Sequence, residues 1–271
     1  MAISRAQLVK ELEPGLNALF GLEYKNYADE WSEIFETETS DRAFEEEVML
    51  AGFSNAAVKP EGQGVTFDDA QETFTARYTN ETIALAFAIT EEAIEDNLYD
   101  RLASRYTKAL ARSMSNAKQV KAAKPLNDGL PSTDNFDSGD AVSLFSTNHA
   151  TVSGTAVKNT LTTQADLNET SLEQALIDIA AMTDERGLRV AARAMKMIIP
   201  SANQFTAERL MKSQGRTGTA DNDINAVVSM GMVPQGYRVN NFLTDTDSWY
   251  LITDVPNGMK MFQRAALKTA M

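Results

Sequence analysis

His149 is the single histidine of the chain, and cysteine is absent. A Ser-His-Asp triad or a histidine metal cluster needs more partners than that. His149, in the loop Phe145-Ser-Thr-Asn-His-Ala150, is therefore read as structural. Other patterns imitate chemical motifs, and each lacks a part. Gly62-Gln-Gly64 carries Phe67 where a dinucleotide fingerprint needs its third glycine, and it precedes a strand pattern rather than a helix. Ser115-x-x-Lys118 matches the serine–lysine acylase motif, but it lies late in a helix and no SDN or KTG partner exists. Asp221, Asp223 and Asn225 resemble the opening of a calcium loop, yet its glycine position holds Ala226 and its final glutamate position holds Met232. Asn80 and Asn168 begin Asn-x-Thr sequons, which matter only in a secreted protein. The acidic pairs Asp68-Asp69 and Glu91-Glu92 read as solvated faces. The sequence thus calls for no cofactor, no metal and no enzyme. An Asp/Glu enzyme with residues 213–225 as a lid stays as a competing reading, marked by a cleft with shifted carboxylates.

Composition narrows the classes further. A formal net charge of −13 argues against gripping nucleic acid through a basic face. Without cysteine there is no disulfide framework. The longest apolar run, Ile83 to Ile89, falls far short of the roughly 18 residues of a membrane helix. Arg5 and Lys10 are followed by no apolar segment of a signal peptide, so a soluble protein made in a cytoplasm is expected.

The element that organises the chain is Thr90 to Lys118. Ile94, Leu98, Leu102, Tyr106 and Leu110 recur every four residues and predict one apolar face. Acidic residues open the stretch and basic residues close it, which complements the helix dipole. At about 1.5 Å per residue the rod spans roughly 40 Å. Residues 1–48 read as an arm with twelve Asp/Glu and four Lys/Arg. Ser4 and Gln7 make a capping box for a short helix, Pro14 interrupts, and a second short segment closes at Gly21. Tyr24, Tyr27, Trp31, Ile34 and Phe35 follow at helical spacing, to pack either on this chain's own body or on a neighbouring subunit.

Residues 49–89 change period. Lys59 to Gly64 is a turn-rich break. Phe74, Ala76 and Tyr78 alternate with polar residues, and Ile83, Leu85, Phe87 and Ile89 alternate with small ones. These two strands, flanking Thr79–Glu81, predict a hairpin that runs into the long helix. Residues 124–165 are rich in breakers and read as surface loop. A helix follows, with Thr170 and Glu173 as its capping box, Leu172, Leu176, Ile179 and Met182 on one face, and Gly187 as its stop. Ala194–Ile199 reads as a buried strand ended by Pro200. Ser201 and Gln204 cap another helix with Phe205, Leu210 and Met211 as its apolar set. Residues 213–225 form a polar loop, and Val227–Phe242 and Trp249–Thr253 read as short strands. The fold class is α+β.

An arm, a long hairpin and a long rod have too little local core to stand alone, which points to an assembly protein. Their order resembles the major capsid protein of tailed bacteriophages, the Hong Kong 97-type fold, nearest to the Mu-like major head subunit group. The likeness rests on Tyr24–Phe35, Gly52-Phe53, Glu61-Gly62, Ile89–Asp96, Leu144–His149, Ile198–Pro200, Glu208–Leu210 and Trp249–Leu251.

The resemblance implies an N-terminal arm (1–48), an extended β-hairpin loop (49–89), a peripheral domain (90–189) with spine helix 90–118, and an axial domain (190–271) that begins the return to the peripheral domain. It implies a shell subunit that assembles with itself into pentamers and hexamers around phage DNA without specific binding. A separate scaffolding protein, a portal and decoration proteins would be its partners, with no membrane, in a virion made in the bacterial cytoplasm. Trp31, Phe35, Lys59, Phe67, Phe74 and Tyr78 are the candidate inter-subunit contacts. A Hong Kong 97-type crosslink would take a lysine from the loop, where Lys59 lies. The family usually continues past the equivalent of Met271, so either a short member or a further tail is expected, and scaffolding is expected from a separate protein or from a segment cleaved away. An encapsulin-like compartment shell is the alternative of the same fold.

Overall fold

The computed structural model describes residues 5–88, 90, 99–130, 139–216 and 223–269. Its centre is β4 (Ala194–Ile199), a strand buried on both faces. Met197 and Ile199 point to one side, where they pack with Leu167, Ala207 and Leu210. Ile198 points to the other and meets Ile34, Leu126 and Leu243. A strand apolar on both faces needs a layer on each. On one side stand α3 (Glu169–Ala180) and α4 (Gln204–Lys212); on the other, the end of α2 (Tyr99–Asn127). β4 runs parallel to β5 (Tyr237–Val239) and antiparallel to β6 (Tyr250–Thr253), in the order β5-β4-β6.

The first helix, α1 (Arg5–Lys25), is continuous through Pro14 and Gly21. The expected break does not occur, because α1 packs along α2 and tertiary contact outweighs local propensity. The beginning of the long rod, 91–98, lies outside the described residues. From Tyr99 the rod runs nine residues past its expected end at Lys118, through Pro125 in its last turn.

The buried face of α2 also differs from expectation. Ala103, Thr107, Ala111, Ser115, Gln119 and Ala123 are buried at four-residue spacing, whereas Tyr106 is 50% exposed. Small residues let α1 and the segment 28–31 approach closely. Of the other expected large residues, Leu110 is half-buried, and the side chains of Ile94, Leu98 and Leu102 lie outside the described residues.

The hairpin is real, but its strands are β2 (Phe44–Ala51) and β3 (Gln71–Thr79), paired antiparallel. Residues 80–88 pair with no strand among the described residues; they run beside α2, with Phe87 5.9 Å from Tyr106 between ring centroids. Ile89 is outside the described residues. β2 escaped the pattern because its inward positions Glu45 and Glu47 are carboxylates. The expected boundary at 48/49 cuts through this strand. A short strand β1 (Glu36–Thr39) pairs parallel with β7 (Lys260–Gln263).

Further along, α3 is capped by Asn168 and Ser171, not by Thr170 and Glu173. The Asn168 side chain accepts from the Ser171 amide, and the Ser171 hydroxyl accepts from the Asn168 amide. The helix ends at Ala180, and Gly187 occupies a later turn at φ +83. A 3-10 turn at Ser201–Asn203 precedes α4 with no side-chain cap bond, so Ser201 and Gln204 form no box. Phe205 is exposed, and Ala207 takes the inward position. Part of the expected strand Val227–Phe242 is instead one helical turn, α5 (Ala226–Ser229), capped by Asn225.

Candidate functional site

Among the described residues most groups that could do chemistry have structural partners, although the buried His149 Nε2 has none. His149 Nδ1 lies 2.8 Å from Asp140 Oδ2, and its backbone bridges Val157 in both directions. Ser115 and Gln119 are buried on α2. Asn225 caps α5, and Asp223 accepts from the Arg216 amide through its backbone carbonyl. Asp221 and the Glu91-Glu92 pair lie outside the described residues, as does the middle of the polar loop 213–225, residues 217–222. Asn168 caps α3. The Asn80 amide side chain donates to the Arg42 carbonyl at 2.7 Å. No group of three His, Asp or Glu able to hold a metal occurs among the described residues. No described helix is long and apolar enough to cross a membrane.

The shifted carboxylates follow from ion pairs and hydrogen bonds at the surface. Glu33 is held below the usual range first by its hydrogen bond from Lys196, at 2.6 Å, with Arg238 adding its charge. Glu208 is lowered by Lys212 and by the Tyr237 hydroxyl. Glu81 is lowered by Lys121, and Asp68 by the Ser54 hydroxyl and amide. Each has a structural partner, and they are scattered rather than gathered at a cleft.

What the structure does gather is an extension and its anchor. Beyond the last ladder pair, Ala51 with Gln71, residues 52–70 leave the body as a loop. Val58 is 94% exposed and Phe67 is 97% exposed, with Phe53 and Val65 also out in solvent. Lys59 is exposed there too. These apolar side chains are left bare on one segment.

At the root the hairpin is fixed. Lys260 on β7 reaches Glu47 of β2 at 2.6 Å and Glu38 of β1 at 3.3 Å. Tyr78 of β3 packs on Phe262 of β7 with centroids 5.8 Å apart, and burial with the nearby Glu47 pushes its hydroxyl pKa up. Phe74 is half-buried, its Cβ beside Gly139. On the outer face Arg77 pairs with Glu46 and lies 4.4 Å above the Phe44 ring.

The six residues singled out as contacts therefore divide. Lys59 and Phe67 lie on the exposed loop, and Phe74 and Tyr78 belong to the hairpin root. Trp31 and Phe35 pack on the chain's own body. Trp31 is 7% exposed, its amide donates to Gln119 Oε1, its indole donates to Asp29, and Lys118 stands 4.0 Å over its ring. Phe35 packs against the cluster of Ile34, Leu126, Ile198 and Leu243. Lys260, Gln119 and Lys196 went unnoticed in the sequence, because each partner is long-range and no local spacing marks it.

Comparison with known proteins follows the same outline. A family model described as phage capsid protein matches residues 72–269. No curated protein matches the chain. Among solved structures, the procapsid of bacteriophage JBD30 is similar with a TM-score of 0.57 at 14% identity, covering 89% of this chain and 100% of that one. The bacteriophage JBD30 capsid is similar with a TM-score of 0.56 at 12% identity, covering 79% of this chain and 90% of that one.

Proposed function

The chain belongs to the phage capsid protein family, and we propose that it is the subunit that assembles with itself into the closed icosahedral shell around the phage genome. The family gives it a structural role in the virion. The observation that carries the assembly reading is the loop 52–70: apolar side chains on a segment that leaves a rooted hairpin, bare of cover among the described residues. A surface on one side of a subunit that fits a different surface on the next makes a head-to-tail contact, and such contacts form rings where the rotation between subunits closes.

In this reading the fold is of the Hong Kong 97 type, with the Mu-like head subunits as the nearest group. The hairpin β2–β3 with 52–70 is the extended loop that lies over the adjacent subunit. α2 is the spine and, with α3, belongs to the peripheral domain. The unit around β4, α4, β5 and β6 is the axial domain of pentamers and hexamers. A separate scaffolding protein, a portal and decoration proteins complete the particle, which is made in the host cytoplasm. The acidity of the chain suits a container that releases its DNA, since a surface of net negative charge has no phosphate grip.

Light scattering and negative-stain microscopy on purified protein at rising concentration test this. Uniform shells, or flat five- and six-fold rings, are expected. A strict monomer both alone and with the phage's scaffolding protein would overturn it.

A further inference from the structure

The loop 52–70 is tied to the body by one side chain from a distant turn. Arg186 Nε donates to the Gly52 carbonyl at 3.1 Å, and its Nη2 donates to the Asp69 carbonyl at 2.7 Å. Gly52 is the first residue of the loop, next to the last ladder residue Ala51, and Asp69 is the last but one, two residues before Gln71, the ladder partner of Ala51. One guanidinium thus bridges both limbs where the β-ladder stops. Inside the loop the Ser54 amide and hydroxyl bond Asp68, which closes the loop on itself but attaches it to nothing else.

The turn that carries Arg186 is held in place. Asp184 Oδ1 accepts from the amides of Arg186 at 2.9 Å and Leu188 at 2.7 Å. Thr183 and Arg189 form a bridge across the turn, and Gly187 supplies the left-handed residue at φ +83. Glu185 fastens the turn to the next loop, accepting from the Val152 amide through its carboxylate and from the Ser153 amide through its carbonyl. Arg186 therefore reaches the hairpin from a fixed base. Its planar fork offers two donors at fixed separation, which a lysine cannot match.

We propose that Arg186 is the positioning residue of the extended loop: it clamps both ends of 52–70 to the 183–189 turn and so sets the direction in which the loop leaves its own subunit. The clamp stands on the geometry alone. Its consequence for building shells rests on the assembly reading above.

The chain has no cysteine, so two introduced labels are unambiguous. Spin labels at Ala57→Cys in the loop and Ile177→Cys on the exposed face of α3 report the loop-to-body distance on the full-length subunit. A single narrow distance is expected for the otherwise unchanged chain. In Arg186→Ala it becomes a broad distribution while the melting temperature barely moves. Arg186→Lys, with a point charge for one carbonyl, gives an intermediate width. Equal distributions in the parent and Arg186→Ala, narrow or broad, overturn the clamp. A lysine variant as narrow as the parent overturns the two-carbonyl geometry. Shell yield is then scored by light scattering on unlabelled protein. A fall in Arg186→Ala is expected, and normal shells despite a broad loop would remove the assembly role alone. Failure of the parent to form shells would count against the assembly reading and leave the distance result standing.

Discussion

Lys260 on β7 closes on Glu47 of β2 with its ammonium 2.6 Å from the carboxylate, across 213 residues of sequence. The same ammonium reaches Glu38 on β1, so one cation joins three strands that share no single sheet. The hairpin is an antiparallel pair, which is marginal alone in water. Lys260 and the Tyr78–Phe262 contact fasten it to the body.

The Lys260 pair has a pH signature. Its hydrogen bond to Glu47 raises the Lys260 pKa above the ordinary 10.5. A group whose folded pKa is raised contributes its stability fully below the unfolded pKa and loses it as pH rises through the folded one. The stability of the subunit should therefore fall on the alkaline side of about pH 10.5. Lys260→Met should lower the melting temperature at pH 8 and flatten the alkaline decline. If urea midpoints of parent and variant fall in parallel between pH 9 and 11.5, the ammonium is not what joins the strands.

The inward stripe of α2 makes a second prediction, which separates the two faces of the helix. Ala111 is fully buried at the crowded face, so Ala111→Leu overpacks it and should cost about 1–3 kcal/mol in denaturant unfolding. Tyr106 is half-exposed, and Tyr106→Ala should cost less than about 1 kcal/mol, most of it from the contact with Phe87. The reverse order of costs would restore the large-residue face as the core.

Capping at α3 can be read the same way. Asn168→Ala removes the side-chain acceptor of the Ser171 amide and should cost about 1 kcal/mol. Thr170→Ala, at the position the sequence pattern favoured, should change stability by less than about 0.5 kcal/mol. Thermal unfolding of both variants decides which residue caps the helix.

β4 was legible in the sequence because its apolar residues and the following Pro200 bound a short buried strand, and its ends match the expectation residue for residue. The long helix was legible from Tyr99 to Lys118, and it runs on to Asn127, while its expected acidic opening lies outside the described residues. Its inward face was not legible, because Ala, Thr and Ser carry little hydrophobic signal and are buried for their size. β2 was hidden for the opposite reason: its inward residues are Glu47, which pairs with Lys260 two hundred residues away, and Glu45, which accepts from the Ser40 hydroxyl. The aromatic arm showed its content but not its destination. Trp31 could have faced a neighbour, and what turns it inward is Gln119, whose Oε1 accepts the Trp31 amide and whose Nε2 donates to Ala28. The loop residues Lys59 and Phe67 stood out as turn-flanked and apolar. Arg186, which holds the loop, had no motif to reveal it.

The exposed loop yields the last prediction. Residues 55–67 lie between Ser54 and Asp68, whose side chain accepts the Ser54 amide at 2.6 Å. Replacing 55–67 by a tight turn keeps this bond, both carbonyls that Arg186 holds, and the whole β2–β3 ladder. It deletes Val58 and Phe67, which bury almost nothing within the subunit, and Val65, which is 70% exposed. The stability of the subunit should therefore change little, because apolar area already in water contributes nothing to folding when it is removed. Under the assembly reading the same area is what a neighbour covers, so shells should fail to close while melting temperature and far-ultraviolet circular dichroism stay near those of the parent. Scattering and microscopy on the shortened chain check this. A folded variant that still builds shells of normal size would show that the loop is not the surface that joins subunits.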